Sequence, residues 1–422
     1  MKGVALMVAA AALLSACGGG QPYSMVEPVA AGQTDRLIAS NQALLRAAPN
    51  DTTAMAALAA AYLQKVREVG DPAYYPKAEA LLGSALKLQP DNGEALIQMG
   101  ALSLGRHRFG DALDWGDRAI ALDPYSARAL GVAGDAQIEL GRYDEAFATF
   151  QRMVDLRPDL SSYARVSYAR ELTGDADGAI EAMRAAVAAG GPAPENVAYA
   201  EVLLGNLYFD RGDLDQAESA YHAALAGFAG HVPARAGLAR VLAARGRYTE
   251  AAELYRRAVD LNPAPDYVIA LGEVSAAAGD AAAARRAFEL AVAQQRLFAA
   301  NGVDLDREQA LFEADHGDPA AALSAARRAM ADRPSVHSAD ALAWALYRTG
   351  DLQEALEASR QARRLGTRDA LMLFHAGAIE ARLGLHDQAR AHLAEALTIN
   401  PHFSVLHAPE ARRALTALGG MP

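Results

Sequence analysis

The sequence predicts an all-α solenoid of stacked helical hairpins, and three observations carry that prediction. Pro90, Pro124 and Pro158 recur every 34 residues, each just past a helix-like segment (LQPDN, LDPYS, LRPDL). Small residues keep the same phase: Ala78, Ala112 and Ala146 precede those prolines by twelve places, and Ala85 and Ala119 by five. The third observation is composition: of 422 residues, 52% are hydrophobic but only 6% aromatic. Small side chains let helix backbones approach closely, so such a chain buries its core by packing helix on helix. A period of this length marks units that cannot bury their own apolar face and must stack.

Charge narrows the function. Lys and Arg number 40 against 51 Asp and Glu, a net −11. That balance argues against nucleic-acid binding, which relies on neutralising phosphates, and against a polybasic membrane surface.

Residues 1–16 carry one cation (Lys2), an apolar run from Val4 to Leu14 and a small-residue ending. This is the build of a secretory signal, shorter than a bilayer-spanning helix. Leu14-Ser15-Ala16-Cys17 resembles the lipobox of bacterial lipoproteins. The resemblance implies cleavage before Cys17 and a diacylglycerol on its thiol; the alternative is an ordinary signal peptide with an incidental cysteine. Cys17 is the sole cysteine, so an exported chain cannot pair it internally. More than one acyl chain would anchor the protein durably at the cell envelope. Residues 17–32 then read as a lipidated tether, and residues 33–51 as an N-terminal capping helix centred on Asp35–Ala48.

The repeat array occupies residues 52–403, with units starting at 52, 93, 127, 160, 198, 232, 265, 303, 336 and 370. In each, apolar residues recur at helical spacing, as in Tyr248, Ala251, Leu254, Tyr255, Ala258 and Val259. A mid-unit Gly followed by an acidic turn (GRYDEA, GDLDQA, GDLQEA) ends one helix and opens the next. The first unit carries an insertion around Lys65–Pro76, and the 265 unit is followed by a longer join containing Gln294–Gly302. The 160 and 303 units are the most degenerate, with Ser167 and Gln309 at expected small or hydrophobic positions, and should be local weak points. Residues 404–422 supply a C-terminal cap over Pro409–Leu418.

This pattern, a hydrophobic residue, a small one, a mid-unit Gly, then Ala, aromatic, Ala and a final Pro, resembles the tetratricopeptide repeat over about ten units. The resemblance implies a right-handed superhelix whose first helices line a concave groove through their second, fifth, ninth and twelfth positions. Those positions include Tyr168, Tyr199, Asn206, Phe209, Arg240, Glu273, Arg307, His337, Trp344, Tyr347 and Phe374. In one subgroup a Lys/Asn/Arg clamp holds a partner's terminal carboxylate; Asn206 and Arg240 match it in part, but Val202 stands where Lys is required. Trp344 and Tyr347 lie one helical turn apart with Phe374 opposite. The three either pack between units or form a shallow apolar pocket for a partner segment.

Catalytic signatures are missing: no phosphate loop, dinucleotide fingerprint, nucleophile elbow, HExxH or CxxC occurs. Neither a cofactor nor a metal is expected. The reading is a non-enzymatic scaffold lipoprotein that gathers a polypeptide partner in an envelope complex. The alternative is a metal-handling protein or enzyme using the histidine-bearing C-terminal region (His375, His402, His407).

Overall fold

The structure, a computed structural model, describes residues 32–191 and 194–420; Cys17, the signal segment and nearly all of the tether lie outside them. The described residues form twenty-two helices and no strand. After α1 (Gln33–Ala47) come α2 (Thr52–Val69) with α3 (Tyr74–Leu88), α4 (Gly93–Gly105) with α5 (Phe109–Leu122), and α6 (Ala127–Glu139) with α7 (Tyr143–Leu156). Next are α8 (Leu160–Leu172) with α9 (Ala176–Ala189), α10 (Pro194–Asp210) with α11 (Leu214–Gly227), and α12 (Val232–Ala244) with α13 (Tyr248–Leu261). The last pairs are α14 (Pro265–Ala277) with α15 (Ala281–Ala300), α16 (Asp306–His316) with α17 (Pro319–Asp332), α18 (Val336–Thr349) with α19 (Leu352–Ala362), and α20 (Ala370–Arg382) with α21 (His386–Ile399). α22 (His407–Ala417) packs on the last pair. No helix among the described residues is long and apolar enough to cross a membrane.

Local chemistry sets these boundaries. Asp51, Asn92, Ser126 and Asp159 cap the helices that follow them, each accepting from the backbone N–H three residues on. The expected join after the 265 unit is largely helix instead: α15 runs unbroken through Gln294 to Ala300. That stretch holds no Gly or Pro to stop it, and its Ala, Gln, Arg and Leu are good helix formers. The insertion in the first unit likewise lengthens α2 by carrying Lys65–Val69 as its final turn.

Alanine and glycine set the spacing of the hairpins, and aromatic rings fill what remains. Tyr221 on α11 is fully buried between Gly205 on α10 and Gly237 on α12; a Cβ at either glycine would lie 2.5 Å from its ring. Its hydroxyl donates to Asn206 Oδ1 at 2.8 Å.

The solenoid winds tightly enough for successive coils to touch. The turn inside one unit meets the turn that precedes the unit six places later, and this happens five times running. Asn262 Nδ2 donates to the Arg67 carbonyl at 3.0 Å, and the Asp304 N–H to the Arg106 carbonyl at 2.9 Å. The Val336 N–H donates to the Tyr143 hydroxyl at 2.7 Å. Thr367 Oγ1 donates to the Leu172 carbonyl at 2.5 Å, and Asn400 Nδ2 to the Phe209 carbonyl at 2.7 Å. The side-chain contacts in this seam join residues 191 to 197 apart. Gly141 and Gly174 serve it twice over. Each ends a helix with φ of 70° and 81°, and a Cβ would lie 2.5 Å from the Pro334 carbonyl oxygen or 2.4 Å from that of Gly366.

The degenerate 160 and 303 units carry two buried arginine–carboxylate networks. Arg165 on α8 makes a two-point pair with Asp135 on α6 at 2.8 and 2.7 Å, with both side chains buried. Ser167 donates to the Ala179 carbonyl at 2.7 Å within its own hairpin. On α16, Glu308 accepts from Arg333 at 2.7 Å and from Arg307 at 2.9 Å. Arg307 also lies 3.9 Å from Glu139 on α6, so this network spans the seam. Burial alone would raise the Glu308 carboxyl; the guanidinium groups of Arg333 and Arg307 overcome that and hold it well below the usual carboxylate range. Ser167, where the repeat pattern departs, bonds inside its own hairpin, and the links to neighbouring hairpins and coils come from Arg165, Arg307 and Glu308.

Candidate functional site

The first helices of the hairpins face the interior of the coil. In its middle the facing side chains meet one another: the Tyr168 hydroxyl on α8 lies 3.3 Å from His337 Nε2 on α18, and Arg307 is sealed into its ion network. Toward α1, α10, α12 and α14 the walls part around a cavity of about 680 Å³. Five of the expected groove residues line it together: Tyr199, Asn206, Phe209, Arg240 and Glu273.

The cavity wall is apolar with charges set into it. Phe209, Phe228, Tyr255, Tyr267, Phe298 and Phe403 supply rings. The charges are mostly matched. Lys65 pairs with Asp35 at 2.7 Å, Arg240 with Asp210 at 3.0 Å, and Glu273 with His316 at 3.1 Å. Gln64 donates to Glu195 at 3.3 Å and accepts from Arg67, while Arg235 donates to the Ala229 carbonyl at 2.7 Å. Asp266, in the first turn of α14, lines the cavity without a hydrogen bond or ion pair to any described residue. Burial pushes its carboxyl up to about 7; Glu308 adds to the shift and Arg307 opposes it.

The two residues that match a carboxylate clamp are committed elsewhere. Asn206 accepts from Tyr221, while Arg240 pairs with Asp210 and lies 3.8 Å over the Phe209 ring.

Trp344, Tyr347 and Phe374 pack between units instead of lining an open pocket. Trp344 and Phe374 are 2% and 3% exposed. The indole stacks between Tyr347 at 4.8 Å and His375 at 4.3 Å and donates to Asp315 Oδ1 at 2.8 Å. Phe374 stacks on His407 at 4.9 Å. The reason lies in α22, which closes over this end and brings His407 to both rings.

Three C-terminal histidines pair with carboxylates: His375 with Asp340 at 3.0 Å, His392 with Glu380 at 2.6 Å, and His407 with both Asp315 and Glu410 at 3.2 Å each. Among the described residues, Asp304, Asp306 and Asp332 bring three carboxylates within 4.8 Å, but Arg328 already pairs with Asp306 at 2.6 Å. Burial would depress His407; hydrogen bonds to Asp315 and Glu410 outweigh it and raise the imidazole to about 9. Because the folded value exceeds the unfolded one, this stabilisation is complete below about pH 6.5 and is lost as pH climbs through 9. Thermal unfolding of His407→Gln should therefore fall less between pH 6.5 and 9 than that of the parent. Equal slopes would show that the pair does not contribute.

The residues missed at the sequence level divide by signal. Asp266 sits at the second position of the 265 unit, the same inward register that selects Glu273. Lys65 and Arg67 lie in the insertion, where that register does not apply. Tyr255 and the segment His402–Val405 belong to a second helix and the connection before α22, which the register does not address.

The tetratricopeptide repeat model matches residues 74–127, 124–161, 134–194, 202–266, 238–301 and 341–402, more than half of the chain. No curated protein matches. Similar solved structures include a thermophilic TPR protein of Thermus thermophilus, 24% identical over 40% of this chain and 91% of its own, with a TM-score of 0.37. The APC/C hetero-tetramer Cut9–Hcn1 is 14% identical over 92% of this chain and 93% of its own, with a TM-score of 0.39. Yeast Tom70 is also 14% identical, over 92% of this chain and 95% of its own, with a TM-score of 0.39.

Proposed function

Since the chain belongs to the tetratricopeptide repeat family, we propose that it is a non-enzymatic binding scaffold that holds a polypeptide partner in the cavity walled by α2, α10, α12 and α14. The observation that carries this reading is the convergence of five inward-facing residues from three successive hairpins on one apolar, charge-studded space. Its size falls within the range of ligand pockets, about 300–1,000 Å³, which suits a short extended segment better than a folded domain. Elsewhere in the coil interior Tyr168 meets His337 and Arg307 is sealed into its ion network, which favours this cavity as the place where the partner enters.

We place the scaffold in a bacterial envelope, fastened through lipid on Cys17, on the strength of the lipobox-like Leu14-Ser15-Ala16-Cys17 and the sole cysteine. Metabolic labelling with a radioactive fatty acid should mark the parent protein, and Cys17→Ser should remove the label and release the chain from the membrane fraction. Retention of label in that variant would refute the anchor. Photo-crosslinking in membranes from a reactive residue at Tyr267 should capture a protein, whereas one at exposed Leu122 on α5 should not. Capture from Leu122 alone would place the contact outside the cavity and overturn the scaffold reading in this form.

A further inference from the structure

The charges around the cavity restrict what can fill it. Each cationic side chain on its wall already has a partner: Lys65 has Asp35, Arg240 has Asp210, Arg67 has Gln64, and Arg235 has a backbone carbonyl. Of the acidic wall residues, Glu273 and Glu195 are likewise engaged. Asp266 alone projects a carboxylate into the space with nothing described to meet it. Glu308 and Arg307 on α16, whose charges act on it, are occupied with each other at 2.9 Å. Tyr267 and Tyr255 stand beside it on the same wall as un-ionised phenols, with burial pushing both hydroxyls above their usual range. A carboxylate left alone among rings and small apolar residues costs free energy that a bound cation would recover. Rings near it favour a cation further, since their faces attract positive charge. Its place in the first turn of α14 accounts for an acidic residue there, but not for a side chain facing the cavity without a partner.

We propose that the cavity takes a short extended peptide segment bearing a lysine or arginine flanked by apolar residues, with the cationic group seated on Asp266. This rests on the scaffold reading above and adds the partner's charge to it. The basic side chain would meet the carboxylate, and its apolar neighbours would lie against Tyr267, Phe228 and Phe298.

The test measures affinity of the full chain for three fluorescent, end-blocked heptapeptides: GAVKVLG, GAVQVLG and GAVEVLG. The parent should bind the Lys peptide about tenfold more tightly than the Gln peptide, and the Glu peptide least. Asp266→Asn, nearly the same in shape, should bring the Lys peptide to the Gln level while leaving the Gln peptide unchanged. Asp266→Lys should invert the order, and unchanged far-ultraviolet circular dichroism would show that both variants are folded. Equal binding of all three peptides by the parent would overturn the charge assignment while leaving the cavity as a docking place. A Lys preference that survives Asp266→Asn would overturn it as well. No binding of any peptide, with membrane crosslinks only from Leu122, would remove the scaffold reading and this inference with it. Tight binding of n-butylamine, measured by its competition with the Lys peptide, would show a small-amine site and overturn the peptide.

Discussion

Glu308→Ala is expected to destabilise the fold by about 3–5 kcal/mol, because it removes the shared acceptor of two buried guanidinium groups. Arg307 and Arg333 are 1% and 0% exposed, and Glu308 is their shared acceptor. The other carboxylates nearby stand farther off: Glu139 is 3.9 Å from Arg307, with burial pushing it up to about 6 against the pull of both arginines, and Asp304 is 4.0 Å from Arg333. Thermal and urea unfolding of purified protein measure the loss. A paired change, Glu308→Leu with Arg333→Met, should recover part of it, since it removes one of the two buried cations that Glu308 served while Arg307 stays behind. A Glu308→Ala protein as stable as the parent would mean that water reaches the network and solvates the arginines.

The second large effect is local to two hairpins. Tyr221→Ala should cost about 3–5 kcal/mol, the range for removing a buried aromatic side chain. The ring lies where Gly205 and Gly237 let the flanking helices press against it, so no larger neighbour can collapse into the space. Asn206, facing the cavity, would also lose the hydroxyl it accepts from at 2.8 Å. Hydrogen exchange should quicken first in α10 through α13, and peptide affinity should fall with it because these helices form the cavity wall. Uniform loss of protection along the whole chain would instead show that the coil opens as a unit.

The hairpins were legible because their determinants are local and repeated. A Gly at a left-handed turn, a capping Asp or Ser, and alanines in 34-residue phase specify a helix pair with little help from elsewhere. The cavity was partly legible, since an inward register carried over from the repeat pattern reached Tyr199, Asn206, Phe209, Arg240 and Glu273. The same register read Arg307 and Trp344 as available to a partner. Both do face inward, but Glu139 from another coil covers the first and α22 covers the second. Those covers depend on how small rotations between units add up along the array, which no single unit encodes. The seam left only a faint trace. Asn262 and Asn400 both precede a proline, where other units carry Gln89 or Asp123. An amide beside a proline at those two places reads as an ordinary turn until the opposite backbone carbonyl is seen.

Stacked hairpins are usually free to multiply or drop out over evolutionary time, because each copy answers only to its immediate neighbours. Here the touching coils forfeit that freedom. Excising the hairpin α12–α13 would present Arg67, Leu172 and Phe209 with the wrong opposite turns, and asparagine and threonine donors would face side chains selected for other company. The number of copies is thus itself a fixed quantity of this architecture, inherited as a block and alterable only where α1 or α22 closes an end.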